Sequence, residues 1–226
     1  VTGPGGVIDS GLDDPLGRRF TYFPAGNLKP GTGKGVSTAT VFAPGIRYPI
    51  ETAPAFHNTQ LYGVGGFQGP NGSLCDKKNY EYPWRDNFCE TRGWDTPACP
   101  GGRGHQGQDI RAMDCKKAVH WAVAVEDGTI TAVEGWNVKL KGDSGREYNY
   151  LHLAMRELSV EIGDRVRRGQ RIGKVSNDFG STGTSIHLHF EIKMNVTLPG
   201  LPPGIRKVPP YTSLVEAYKR LLQGTP

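Results

Sequence analysis

The sequence predicts a mainly β protein with a loop-rich N-terminal extension and a single C-terminal helix. With 32 Gly and 17 Pro in 226 residues, turns must claim much of the chain and long helices cannot dominate. From about residue 100 the texture becomes a succession of strand-like runs, and only the last stretch carries apolar residues at helical spacing. The chain accordingly divides into an extension at 1–98, a β core at 99–198 and a C-terminal segment at 199–226.

The extension is rich in Gly, Pro, Asn and aromatic residues, with short β-like pieces at "GVSTATVFAPGI" and "TQLYGVGGF" between turn signals. Its Trp, Tyr and Phe content is too high for a free linker, so it is expected to pack on the core. In the core, "HWAVAVEDG", "TITAVEGWNVKL", "REYNYLHL", "QRIGKVS" and "SIHLHFEIKM" read as strands of an antiparallel sheet, with turns at "EDG", "KGDSG" and "NDFGSTG". "VEDGTI" is the cleanest hairpin signal, because Asp127-Gly128 offers the positive φ of a tight two-residue turn. The prolines of "PPGIRKVPP" argue against a regular element there. The final "YTSLVEAYKRLLQG" gathers Leu214, Val215, Tyr218, Leu221 and Leu222 on one helical face, with Ser213 or Thr212 as N-cap and Gly224 as terminator.

A net charge of +5, spread along the chain, assists approach to an anionic polymer without identifying one. No basic helix with interleaved aromatics suggests a nucleic-acid reader, so no nucleic-acid partner is expected. No apolar run approaches the roughly 18 residues of a membrane span, and "VTGPGGVIDS" lacks the features of a secretion signal. The chain reads as soluble, with any export signal removed before this numbering begins. Four cysteines, Cys75, Cys89, Cys99 and Cys115, form no CxxC pair, which favours two disulfides over a structural zinc knuckle. That implies an oxidising compartment, periplasmic or secreted. Of three possible connectivities, the nearest-neighbour one is expected, Cys75 with Cys89 and Cys99 with Cys115.

Three histidine-bearing segments matter together. In "SIHLHFEI" an extended chain sends His187 and His189 to one face and Leu188 and Phe190 to the other. In "GHQGQD" the residues His105 and Asp109 sit four apart, a spacing that returns to the same side, and the surrounding glycines favour a loop or short extended segment. In "YLHL" stands His152. Imidazole and carboxylate are borderline ligands suited to zinc, and one histidine of "HLH" added to His105 and Asp109 makes three protein ligands.

In this order, "HQGQD", "YLHL", "VEIGDRVRRGQRIGKV" and "HLHFEI" resemble the lysostaphin-type, or LytM-like, zinc endopeptidases, whose signature pairs HxxxD with a later HxH. The resemblance covers roughly residues 100–195. It implies a compact antiparallel β-sheet or sandwich core with an open groove and one zinc ion at its floor. Carried over position by position, it implies His105, Asp109 and His189 as zinc ligands with water in the fourth place, and His152 and His187 as catalytic imidazoles. Three protein ligands leave the open position that marks a catalytic zinc, and with no HExxH in the chain histidines must serve where those enzymes use glutamate. The implied activity is cleavage of peptide cross-links in bacterial peptidoglycan. Ser185 and Ile186 stand where the family commonly has Gly and Pro. The cysteines are not a general family feature; a Cys99–Cys115 bridge would brace the segment presenting His105 and Asp109.

Other residues read as structural. His57 and His120 have no companion at ligand spacing, Asp178 is expected to shape a turn, and Trp84, Trp94 and Tyr80 are expected in a small core of the extension instead of lining a groove. The alternative function is a non-catalytic LytM-like module that binds the wall or activates a separate hydrolase, and relatives of that kind typically lack some ligands. A third reading has the extension covering the groove. No regulatory protein partner can be named from the sequence.

Overall fold

Alternation along one strand organises the protein, whose computed structural model describes residues 6–226; residues 1–5, the start of the expected extension, lie outside the described residues. In chain order the strands are β1 (Ile8–Asp13), β2 (Arg19–Tyr22), β3 (Phe56–His57), β4 (Gln108–Arg111), β5 (Trp121–Val123), β6 (Gly128–Glu134), β7 (Asn137–Gly142), β8 (Glu147–Leu151), β9 (Arg165–Val166), β10 (Arg171–Lys174), β11 (Leu188–Val196) and β12 (Gly204–Val208), followed by α1 (Tyr211–Leu222). Leu188, Phe190 and Ile192 of β11 are fully buried in the core, and His189 and Glu191 face the other way. Strands β3-β4-β11-β8-β7-β6-β9 form one antiparallel sheet, with β12 added to β11. One edge of β11 is shared end to end, β4 pairing with residues 188–190 and β12 with residues 192–196. The same period of two sends Tyr148 and Tyr150 of β8 and Val138 and Leu140 of β7 into the core.

The mainly β architecture with one C-terminal helix is as the sequence predicts. Several local expectations differ. "VEDGTI" is not a hairpin: β5 leaves the large sheet to pair with β10, and β6 pairs with β7 and β9. Gly128 is there for close approach, since a Cβ would strike the Lys141 carbonyl, and Asp127 accepts from Arg168 N–H instead of closing a turn. The tight connection is Gly135-Trp136, which splits "TITAVEGWNVKL" into β6 and β7. "PPGIRKVPP" does hold a strand, because its prolines flank β12 and leave the amides of Gly204–Val208 free to pair. No strand forms in "GVSTATVFAPGI" or "TQLYGVGGF"; β1, β2 and β3 lie elsewhere. At α1 the cap position is Pro210, with no side-chain cap: Ser213 Oγ instead accepts from Ala43 N–H and Thr212 Oγ1 donates to the Thr40 carbonyl. Gly224, at φ 75°, ends the helix as expected.

The loop-rich half does pack on the sheet. Phe20, Tyr48, Ile50 and Trp84 share one core cluster with Tyr148, Phe190 and Tyr218. Trp84 Nε1 donates to the Ala55 carbonyl, and fully buried Arg111 of β4 donates to the Leu74 carbonyl and Asn58 Oδ1. The disulfides are Cys75–Cys115 and Cys89–Cys99, which corrects the nearest-neighbour pairing. Arg111 draws the 58–80 loop onto the end of β4 and brings Cys75 to Cys115, while a tight turn at 94–104 returns Cys99 to Cys89. The brace beneath His105 is therefore Cys89–Cys99, whose Cys89 N–H donates to the His105 carbonyl. No helix among the described residues is long and apolar enough to cross a membrane.

Candidate metal centre

His189 and Asp109 are direct cross-strand partners in β11 and β4, so the sheet register alone makes their side chains meet. Asp109 Oδ1 is the meeting point of three imidazoles: His189 Nδ1 at 3.1 Å, His187 Nε2 at 3.3 Å and His105 Nε2 at 3.4 Å. Donor atoms of His105, Asp109 and His189 all lie within 4.8 Å of one another, and all three residues are buried. His187 approaches the same oxygen without joining that mutually close set. His105 precedes β4 and is held by paired backbone bonds, its N–H to the Glu90 carbonyl and its carbonyl from Cys89 N–H.

Each flanking imidazole is turned by a carbonyl. His105 Nδ1–H donates to the Asn87 carbonyl at 2.9 Å and His187 Nδ1–H to the Ser185 carbonyl at 2.9 Å, leaving both Nε2 atoms toward Asp109. Ser185 Oγ lies 3.0 Å from His187 Nδ1 and donates to Gln60 Oε1 at 2.6 Å. His152 Nδ1–H donates to the Asp178 carbonyl at 2.8 Å, and its ring centroid lies 4.8 Å from that of His187. His152 holds φ at 72°, a conformation costly for a side chain with a Cβ, of the kind that concentrates at working sites. The five predicted site residues, His105, Asp109, His152, His187 and His189, thus converge on one cavity of about 990 Å³.

Charge in this cluster is strongly coupled. Burial would raise Asp109, yet His105 and His187 hold its carboxyl well below the usual range. Burial opposes the charged form of His189, but hydrogen bonds to Asp109 and to Glu191 (2.9 Å) push it up to about 9. Glu191, whose burial works the other way, is held down to about 2 by His189, with Lys207 and Asn149 assisting. His152 is pushed down to about 3, first by burial and then by His187 and His189. Two carboxylates flanking His189 make this position favour positive charge, and two imidazoles plus a carboxylate are a donor set suited to a divalent cation such as zinc.

The sequence missed the groups around the cluster. Glu191 was readable, since it stands two residues after His189 on the same strand face. Asn87, whose Nδ2 donates to Asp109 Oδ2 at 2.8 Å, and Gln60 carry no local signal, because loop geometry has no period. Trp94, expected in a core, is 60% exposed and lines the cavity with exposed Phe67, Trp136 and Phe179. Trp84 is core, stacked at 3.5 Å on His57, which also pairs with Tyr48 Oη; Tyr80 lies against Phe56 and Arg111; His120 pairs with Asp114; Asp178, expected to shape a turn, instead reaches across to another segment, its Oδ2 accepting from Met155 N–H.

Residues 103–198 match the family model described as Peptidase family M23. Among solved structures, one assigned as a glycyl-glycine endopeptidase lytM from Ruminococcus gnavus is 21% identical, with 79% of this chain and 61% of that chain covered and a TM-score of 0.45. The catalytic domain of the antimicrobial peptidase lysostaphin from Staphylococcus simulans is 25% identical over 61% of this chain and 94% of that one, at a TM-score of 0.41. A zinc containing peptidase from Vibrio cholerae is 26% identical over 44% and 31%, at 0.33. The chain thus spans 61% of the length of the Ruminococcus protein and 31% of the Vibrio one. None of the curated proteins matches the chain.

Proposed function

We propose, on the match of residues 103–198 to the family model described as Peptidase family M23, that the chain is a zinc-dependent endopeptidase acting on the peptide cross-links of bacterial peptidoglycan, in the periplasm or outside the cell. In this reading residues 99–198 are the peptidase core, with 1–98 and 199–226 packed on it. His105, Asp109 and His189 hold one zinc ion, and His152 and His187 act on the substrate. The observation that carries the proposal is the convergence of donor atoms from those three residues to within 4.8 Å at an open cavity, with two further imidazoles beside them.

A bound zinc with three protein ligands supplies Lewis acidity toward water and toward a scissile carbonyl. The chain's own groups supply the rest. His152, neutral at pH 7 and donating its Nδ1–H to a carbonyl, presents Nε2 as a proton acceptor in the groove. His187, fixed by the Ser185 carbonyl, presents its second nitrogen beside Asp109, within reach of a substrate oxygen in the groove. The rim of Trp94, Phe67, Trp136 and Phe179 gives an extended peptide apolar surface.

The test is incubation of the purified protein with peptidoglycan, with and without a chelator, followed by mass spectrometry of the released muropeptides. Chelator-sensitive loss of cross-linked muropeptides is expected. Unchanged muropeptides from a protein carrying one zinc per chain would instead support a wall-binding module.

A further inference from the structure

Asn87 belongs to the loop-rich half and lies outside the matched segment 103–198, yet it touches two of the three residues read as ligands. Its Nδ2 donates to Asp109 Oδ2 at 2.8 Å, its Oδ1 accepts from Asp109 N–H at 3.1 Å, and its carbonyl accepts from His105 Nδ1–H at 2.9 Å. It is 1% exposed, so its amide is shielded from bulk solvent and its bonds to Asp109 are made within the protein.

Each bond has a consequence. A carboxylate can rotate to offer either oxygen; pinning Oδ2 leaves Oδ1 as the oxygen that meets the imidazoles. Occupying His105 Nδ1 selects the tautomer whose Nε2 carries the lone pair. Asn87 is itself held from both sides. Asp86 accepts from Phe88 N–H and Gly26 N–H, while Cys89 is tied to Cys99 and donates to the His105 carbonyl. Trimming the side chain therefore removes the clamp on Asp109 and leaves the backbone bond to His105.

We propose that Asn87 is a positioning residue of the metal centre, a clamp from the N-terminal half that presets the Asp109 carboxylate for the cation. The inference rests on the zinc reading above.

The experiment is chelator competition for zinc on the full chain, with far-UV circular dichroism as the check of fold. Asn87→Ala is expected to weaken zinc binding by about 10–100-fold, the range for loss of a group that orients a ligand. The visible spectrum of the cobalt-substituted protein should change as well. Asn79→Ala is the control: Asn79 is buried and bonds the Val64 and Leu74 carbonyls, so its loss should lower stability while leaving zinc affinity unchanged. Should Asn87→Ala not fold, Asn87→Ser is read in the same competition, with a smaller weakening expected. A folded Asn87 variant that binds zinc within about twofold of the wild type, with an unaltered cobalt spectrum, would overturn the inference alone. A wild-type protein that takes up no stoichiometric zinc would overturn the metal-centre reading and this inference with it.

Discussion

Where the sheet delivers His189 and Asp109 by register between two paired strands, the loop-rich half delivers Asn87 and Gln60 on segments with no repeating geometry, held by side-chain bonds and a disulfide. Of the three proposed ligands His189 and Asp109 are sheet-borne and His105 stands in the loop just before β4, while loop-borne Asn87 holds Asp109 and Gln60 holds Ser185 beside His187. A strand ladder fixes which residues stand opposite one another but leaves side-chain rotation open, and that freedom is what a second set of groups must remove. The division of labour predicts that sheet-side changes abolish chemistry and loop-side changes weaken it.

The largest effects test the sheet side. His189→Ala should lose the metal, whereas His152→Ala should keep it and lose roughly 10²–10⁴-fold in turnover, as for removal of a general base. Metal analysis beside muropeptide release reads both. Equal zinc retention in the two variants would contradict the division into ligand and catalytic imidazole.

How much of this was legible follows the same line. His105, Asp109, His187 and His189 were found because strand alternation and the HxxxD spacing are periodic, and the resemblance implied their roles. The hairpin expected at Asp127-Gly128 was misplaced because glycine serves close approach as well as positive φ, and the sequence does not say which. The cysteine pairing was misread because it depends on Arg111, near Cys115 but far from Cys75 in sequence, holding the 58–80 loop against β4 through the Leu74 carbonyl. Asn87 sits in "RDNFCE", where nothing local separates it from a turn asparagine.

Next in size come the disulfides, which separate stability from site. In the chain-entropy account, the 40-residue separation of Cys75–Cys115 is worth about 4 kcal/mol and the 10-residue separation of Cys89–Cys99 about 3 kcal/mol. Replacing both members of a pair by Ser should therefore lower the thermal midpoint more for Cys75–Cys115. Zinc affinity should fall more for Cys89–Cys99, which is bonded to the backbone of His105. If removing Cys75–Cys115 were to weaken zinc binding more, the brace would lie elsewhere.

Smaller again is Gly107→Ala. A Cβ there would press on the Phe190 carbonyl and come within 2.9 Å of His189 Nε2, so β4 can approach β11 at this point only with glycine. Overpacking should cost about 1–3 kcal/mol in denaturant unfolding and weaken zinc binding together. A stability loss with unchanged zinc affinity would show that His189 moves freely, against the picture of a preset centre.

The smallest effect concerns the seam between the halves, where β3 carries His57 against Trp84 and Tyr48. Burial drives the His57 pKa well below its ordinary value near 6.5, so the folded protein keeps the ring neutral. Above about pH 6.5 neither state gains a proton and the group has no effect on the pH dependence. As pH falls below that value the unfolded chain takes up a proton that the folded one refuses, and stability drops by about 1.4 kcal/mol per pH unit until the folded pKa is reached. His57→Phe removes this slope and leaves the Tyr48 hydroxyl without its partner. The variant should thus be the less stable protein at pH 7.5, with the gap narrowing as the pH is lowered toward 5. Thermal unfolding of both proteins across that range checks it, and parallel curves would mean that His57 accepts a proton in the folded state and that the seam admits water.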